Sequence, residues 1–235
     1  DIAIDGPALR VRASAKSWLK DIRHGLPNTL VSQLAINDLK ADPEGLFETP
    51  VQLTQGALDL KVTLSPFRVQ VGQLVLMDGD RRISAKGDFR AEPKGWASAL
   101  DVTVNAIESR RLLALWPIAM VPKTRDWLRQ NVATSEIFNV TGGLRVTPGE
   151  APRFSLGYEF RATEVTVIRS LPPVQDGAGH ASIIDNTYTL VVDKGHVLAP
   201  DGGRIDASGS VMRIPDLRLV PAPAEVTLKT HSSIT

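Results

Sequence analysis

The chain has 235 residues, 43% of them apolar, 23% charged and 5% aromatic, with a formal net charge of +1. That composition is globular and excludes wholesale disorder, and so small a charge argues against a general nucleic-acid binder. Cysteine is absent, which excludes a disulfide framework, a thiolate metal site and a cysteine nucleophile.

In chain order, the first expected element is a short helix over Lys16–Arg23, ahead of Gly25 and Pro27. Ala41–Pro50 reads as a loop. From there, alternation of apolar and polar residues dominates, the pattern of strands with one apolar and one wet face. It predicts strands on Leu58/Leu60/Val62/Leu64, on Phe67/Val69/Val71 and, after a change of phase at Gly72 that suits a bulge, on Leu74/Leu76. Further strands are expected on Ile83/Ala85/Gly87/Phe89 and Trp96/Ser98/Leu100/Val102/Val104. Turn signals separate them at Ser65-Pro66, Asp78-Gly79-Asp80 and Glu92-Pro93-Lys94-Gly95.

A helical insert interrupts the alternation over about 106–132. One helix ends at Pro117, which cannot continue it. A second starts near Pro122, where proline suits a first turn. Alternation then resumes on Phe138/Val140/Gly142/Leu144/Val146, Phe154/Leu156/Tyr158/Phe160, Tyr188/Leu190/Val192, Ile205/Ala207/Gly209/Val211 and Ala224/Val226/Leu228. Turns are expected at Pro148-Gly149 and Asp201-Gly202-Gly203. Two hairpins echo each other, 72–89 and 195–211, each with an Asp-Gly turn followed by I-x-A-x-G. Stacked repeat units, about 50–105 and 135–230, would produce this echo, and so would the shared grammar of hairpins.

Catalytic constellations are missing. The four histidines His24, His180, His196 and His231 have no metal-ligand spacing. Gly177-Ala178-Gly179-His180 is not followed by the helix of a dinucleotide site, and Ser17-Trp18-Leu19-Lys20 lacks the partner motifs of an S-x-x-K enzyme. Asp78-Gly79-Asp80 lacks the remaining ligands of a calcium loop. No nucleophile, base and orienting group can be assembled, so a non-enzyme with no cofactor and no metal is expected. The insert carries Arg110, Arg111, Lys123, Arg125 and Arg129 against Glu108 and Asp126, a local net of +3, together with Trp116 and Trp127. Trp116, Arg125 and Trp127 are candidates either for contact with anionic headgroups or for packing onto the sheet.

So many one-faced strands with so few helices must close into a barrel, fold into a sandwich, or curl and leave an apolar groove. An uncovered groove calls for a ligand. Two acyl chains of about 30 methylenes, at ~0.8 kcal/mol each, set roughly 24 kcal/mol against exposure to water, so a lipid suits it. Small residues on the apolar face (Ala85, Gly87, Ser98, Gly142, Ala207 and Gly209) would leave width for the chains. The expected fold is mainly β: an elongated, curled antiparallel sheet forming a half-open β-groove, with a short helical insert. Lipid-contact candidates follow from the alternation: Leu58, Leu60, Val62, Leu64, Ile83, Phe89, Leu100, Val102, Val104, Val140, Leu144, Leu190, Val192 and Val211.

The residues Leu112-Leu113-Ala114-Leu115-Trp116-Pro117 and Pro122-Lys123-Thr124-Arg125-Asp126-Trp127-Leu128-Arg129-Gln130-Asn131 form a recognisable signature. It resembles the W-P and P-x-T-R-x-W-L/V-x-x-N pattern of the AsmA-like proteins, in particular the YhdP-type branch. Leu171-Pro172-Pro173-Val174-Gln175-Asp176-Gly177-Ala178-Gly179-His180-Ala181 is similar to a stretch that opens the next repeat in that branch. The likeness covers about residues 90–215 and departs at Thr134-Ser135-Glu136-Ile137, where the family has a Gly-Gly pair. The resemblance implies a bridge-like lipid-transfer protein with a repeating β-groove, lying in the periplasm of a Gram-negative envelope and anchored in the inner membrane by an N-terminal helix. It implies phospholipid or another acyl lipid as the partner, a role in lipid movement toward the outer membrane and envelope integrity, and no catalytic residues. No 18-residue apolar run and no signal peptide is visible and the first residue is Asp1, so the chain is expected to be one segment cut from such a parent. The alternative is an assembly module that holds other envelope proteins by strand addition at its open edges. A secreted enzyme or glycan-binding solenoid would need a carboxylate pair or an aromatic row, and neither is evident.

Overall fold

The computed structural model describes residues 1–167, 170–200, 202–219 and 221–232, with residues 231 and 232 described through their backbone only. In chain order the elements are β1 (Ile2–Asp5), β2 (Leu9–Arg23), β3 (Leu26–Ala41), β4 (Val51–Leu53), β5 (Gln55–Thr63), β6 (Arg68–Asp78), β7 (Arg81–Glu92) and β8 (Gly95–Glu108). Two short helices follow, α1 (Ser109–Leu115) and α2 (Pro122–Asn131). Then come β9 (Val132–Val146), β10 (Arg153–Val165), β11 (Val174–Ile184), β12 (Thr187–Leu198), β13 (Arg204–Asp206), β14 (Val211–Ile214), β15 (Glu225–Thr227) and β16 (His231–Ser232).

Among the described residues the strands belong to one antiparallel sheet that is not closed into a barrel. Its main path is β1-β2-β3-β5-β6-β7-β8-β9-β10-β11-β12-β13-β16; β4 pairs with β3, and β14 joins β12 to β15. The mainly β, open antiparallel sheet with a helical insert is therefore the observed fold class. Both helices lie where proline punctuation places them, α1 ending before Pro117 and α2 beginning with Pro122. The turns at 79–80 and 93–94 also fall where expected. Gly72 is the extra residue of a bulge: Asp59 pairs with Gln73 and Leu60 with Val71, which skips it.

The expected helix over Lys16–Arg23 is a strand. Its apolar residues Trp18, Leu19 and Ile22 sit at spacings a helix would use, but the segment pairs with β3 from Leu9↔Ala41 to Arg23↔Leu26. A ladder of that length outweighs the weak local preference of a short segment. The run Ile205/Ala207/Gly209/Val211 is likewise not one strand. Three pairs tie β13 to β12, after which Gly209, at φ +79°, turns the chain, and β14 joins β12 separately. The first half of the echo, by contrast, is a long hairpin of β6 with β7, interrupted only by the register shift between Val71 and Leu74. Asp201 of the expected Asp-Gly-Gly turn lies outside the described residues.

The chain divides into two compact units, Asp1–Asn105 with Thr141–Phe154, and Ala106–Val140 with Ser155–Thr235. The first holds β1 to β7 and most of β8. The second holds the helical pair and β10 to β16 apart from the first residues of β10.

Candidate functional site

Residues directly opposite in an antiparallel ladder project to the same face, so register assigns every side chain to a face. In the first unit, Leu30 pairs with Val62, Ser32 with Leu60 and Leu34 with Leu58. Leu58 pairs with Leu74, Leu60 with Val71 and Val62 with Val69. Val69 pairs with Phe89, Val71 with Gly87 and Leu76 with Ile83, and Ile83, Ala85 and Gly87 pair with Val104, Val102 and Leu100. One apolar face thus runs unbroken across β3, β5, β6, β7 and β8. It holds the candidates Leu58, Leu60, Val62, Ile83, Phe89, Leu100, Val102 and Val104. All of them are half-buried. Leu64 falls past the end of β5 and is exposed.

The reverse face is polar by the same register: Asp59 opposite Gln33, Lys61 opposite Gln70, Gln70 opposite Asp88, Lys86 opposite Asp101. Arg68 pairs with Asp88 there, and Arg145 reaches Asp101 at 2.6 Å while donating to the Leu100 carbonyl at 2.8 Å. With Arg145 on the polar side, its neighbour Leu144 projects to the apolar side. Ser17 and Ser32, the polar pair on the apolar face, satisfy each other at 2.9 Å.

The small residues do not all leave room. A Cβ on Gly87 would meet the Phe89 ring at 2.8 Å, and one on Gly56 would meet Leu76 at 3.0 Å and Ile36 at 3.3 Å. Phe89 lies across Gly87, so the expected extra width is filled there; Gly56, outside that expectation, is closed by the Val75 backbone carbonyl as well as by Leu76 and Ile36.

The second unit has its own apolar face. Leu156, Tyr158 and Phe160 of β10 stand opposite Ile183, Ala181 and Gly179 of β11. These in turn oppose Tyr188, Leu190 and Val192 of β12, and Leu190 opposes Met212 of β14. Leu190 and Val192 are placed as expected. Val211 is not: it pairs with Val191, which pairs with His180, which pairs with Glu159, all on the polar face. β13 and β14 keep one register against β12, Ile205 opposite Val197 and Val211 opposite Val191, so Val211 falls in the frame of Val191 and not in that of Leu190 and Val192. Phe138 departs from the apolar face as well. Asn139, at φ +51°, kinks β9, and Phe138 lies beneath the Arg161 guanidinium at 4.9 Å. Arg161 also grips Glu136 through two nitrogens at 2.6 and 2.8 Å, which holds the Glu136 carboxyl below the usual carboxylate range. Val140, beyond the kink, is half-buried.

Alternation alone does not reveal the chief polar feature of this face. The hydroxyls of Tyr158 and Tyr188 meet at 2.9 Å. Burial pushes both phenols above their ordinary pKa, and for Tyr188 the neighbouring Tyr158 adds to the rise.

The helical pair resolves the alternatives for its three candidates individually. Arg125 is 3% exposed and donates to the Leu113 carbonyl at 3.2 Å, tying α2 to α1. Its role is packing. Trp116 donates its indole N–H to the Met120 carbonyl at 2.6 Å, closing the connection between the helices. Trp127 remains exposed. Among the histidines, His180 contacts Asp193 at 3.2 Å and buried His196 lies 3.7 Å from Asp176. Among the described residues no three potential ligands gather into a metal-binding group, and no helix is long and apolar enough to cross a membrane. Comparison with protein-family models, with curated proteins and with solved structures returns no match.

Proposed function

We propose that this chain is a non-catalytic segment of an AsmA-like, bridge-type protein of the Gram-negative periplasm, and that it shields phospholipid acyl chains along its apolar sheet face on their way between the membranes. The parent protein would be anchored in the inner membrane. One observation carries this reading: the apolar face of the first unit extends over five consecutive strands, yet among the described residues no large side chain is fully buried. A face of that extent gains its full hydrophobic stabilisation only when something apolar covers it. Acyl chains suit such a surface because it offers aliphatic groups in long rows with few hydrogen-bonding groups to be desolvated. The resemblance of the helical insert to the AsmA-like signature points the same way. Native mass spectrometry of the 235-residue chain purified from a bacterial envelope is expected to show co-purifying phospholipid, released on extraction into organic solvent. Recovery of the chain free of lipid, with its apolar face still refractory to added lipid, overturns the reading.

A second reading rests on a different observation. β1 pairs only with Arg10–Ala13 of β2, so the edge of β2 from Ser14 to Arg23 carries no partner strand among the described residues. Such an edge accepts an added strand from a protein partner, as an assembly module requires. Stable protein partners captured by this edge, without bound lipid, would favour it.

A further inference from the structure

We infer that the turn between α1 and α2, with the exposed stripe of α2, is a docking element for the surface of an anionic lipid bilayer. This goes beyond acyl-chain shielding by the sheet and rests on other residues. The connection presents Ile118, Met120 and Val121 to solvent, and α2 adds Trp127; Met120 is 50% exposed, Val121 58% and Trp127 41%. Four large apolar side chains are thus left in water within ten residues, as Trp18, Leu19, Ile22 and Leu26 are in β2 and β3, but here they stand among cations. They are held out rather than loosely placed. The Trp116 indole binds the Met120 carbonyl, the Met120 amide binds the Pro117 carbonyl at 3.0 Å, and the amides of Thr124 and Arg125 bind the Val121 carbonyl at 3.1 and 3.2 Å.

Val121 makes the point sharper. It caps α2 at φ 45°, ψ 57°, in the left-handed region that β-branched residues avoid. Glycine or asparagine would relieve that strain and would also be more polar. A strained position occupied by an exposed apolar side chain argues for a use of the side chain itself.

Charge selects the occupant. Lys123 and Trp127 stand four residues apart on α2, on one exposed stripe. Arg110 and Arg129 are also exposed, and Asp126 is the sole carboxylate on α2, paired with Arg129 at 3.0 Å. Between Ala106 and Val132 the net charge is +3, in a chain whose total is +1. Apolar side chains with an interfacial tryptophan, flanked by cations, match the boundary between acyl chains and anionic headgroups. A purely apolar protein groove would have no use for the cations, and a nucleic acid none for Met120 and Val121.

The test is flotation of the 235-residue chain with vesicles of phosphatidylethanolamine, with and without phosphatidylglycerol. Binding is expected only when phosphatidylglycerol is present, and is expected to weaken as salt rises. Lys123→Gln should reduce it about five-fold. Met120→Gln combined with Val121→Asn should abolish it while leaving far-ultraviolet circular dichroism unchanged, because asparagine tolerates the left-handed cap. Equal binding to both vesicle types, or undiminished binding by the double variant, overturns the proposal. So does capture of a protein by this turn with no affinity for vesicles. Loss of vesicle binding with retained co-purifying lipid would separate this element from the sheet face, since the two are read by different measurements.

Discussion

The hydroxyl groups of Tyr158 and Tyr188 are hydrogen-bonded at 2.9 Å on the otherwise apolar face of the second unit. Two residues thirty positions apart place their only polar atoms against each other, so neither hydroxyl is buried without a partner. Removing one hydroxyl orphans the other. Tyr158→Phe or Tyr188→Phe is expected to cost about 1–3 kcal/mol in urea unfolding, and the double variant less than the two single losses together.

The same pair sets an alkaline limit. Both phenols are raised by burial, Tyr188 further by its neighbour, whereas the unfolded chain titrates near the ordinary value of about 10. Below that pH both states keep their protons and the pair's contribution to stability is fully present. Above it the unfolded state releases protons first, and stability falls as pH rises. The chain contains only these two tyrosines, so tyrosinate absorbance reports on them alone. The folded protein should remain unionised well above the pH at which the urea-unfolded chain titrates.

Face assignment is open to a direct comparison. Leu100 and Val102 project to the apolar side and Thr103, opposite Ser84, to the polar side. Leu100→Asp or Val102→Asp should lower photo-crosslinking of a phospholipid probe several-fold, because each places a charge against acyl chains. Thr103→Asp should leave it nearly unchanged. Equal losses from both sides would remove the basis for lipid contact.

Arg125 is expected to behave as a structural residue. Its guanidinium joins α2 to the Leu113 carbonyl inside the helical pair. Arg125→Met keeps the apolar stem and removes a charged donor to that carbonyl, which retains the Trp116 amide at 3.3 Å, at a cost of about 2 kcal/mol. Chemical denaturation measures the loss, and near-ultraviolet dichroism of Trp116 and Trp127 should change with it.

Two glycines make opposite predictions. A Cβ at Gly179 would collide with the Val191 backbone carbonyl and meet the Phe160 ring at 2.9 Å. Gly179→Ala should therefore destabilise the chain by about 3 kcal/mol. At Gly72 the nearest atoms are 3.8 Å from the added carbon, with no positive φ, and Gly72→Ala should melt within a few degrees of the parent protein.

Much of the candidate site was legible in the residues. Alternation places eight of the lipid-contact candidates on one face of the first unit because a strand's side chains have a period of two, whatever its neighbours do. It failed where the backbone leaves that period. Val211 lies on the polar face because its ladder with β12 sets it opposite Val191 and not opposite Leu190 or Val192, and Phe138 sits under Arg161 beside Asn139, which adopts a left-handed conformation. Neither residue announces this by its chemistry. Lys16–Arg23 failed for a different reason: its spacing suits a helix, and only the ladder with β3 makes it a strand.

The sequence by itself determined the strand-rich class, the position of the two helices and the parity of most apolar side chains, since proline punctuation and side-chain period act within a few residues. Tertiary structure alone decided which residues meet across the ladder. It joined Tyr158 to Tyr188, set the Phe160 ring against Gly179 across the ladder, buried Arg125 and left Met120 and Val121 exposed. These outcomes depend on register between segments distant in the chain, and on bulges and turns that each change the phase by one residue.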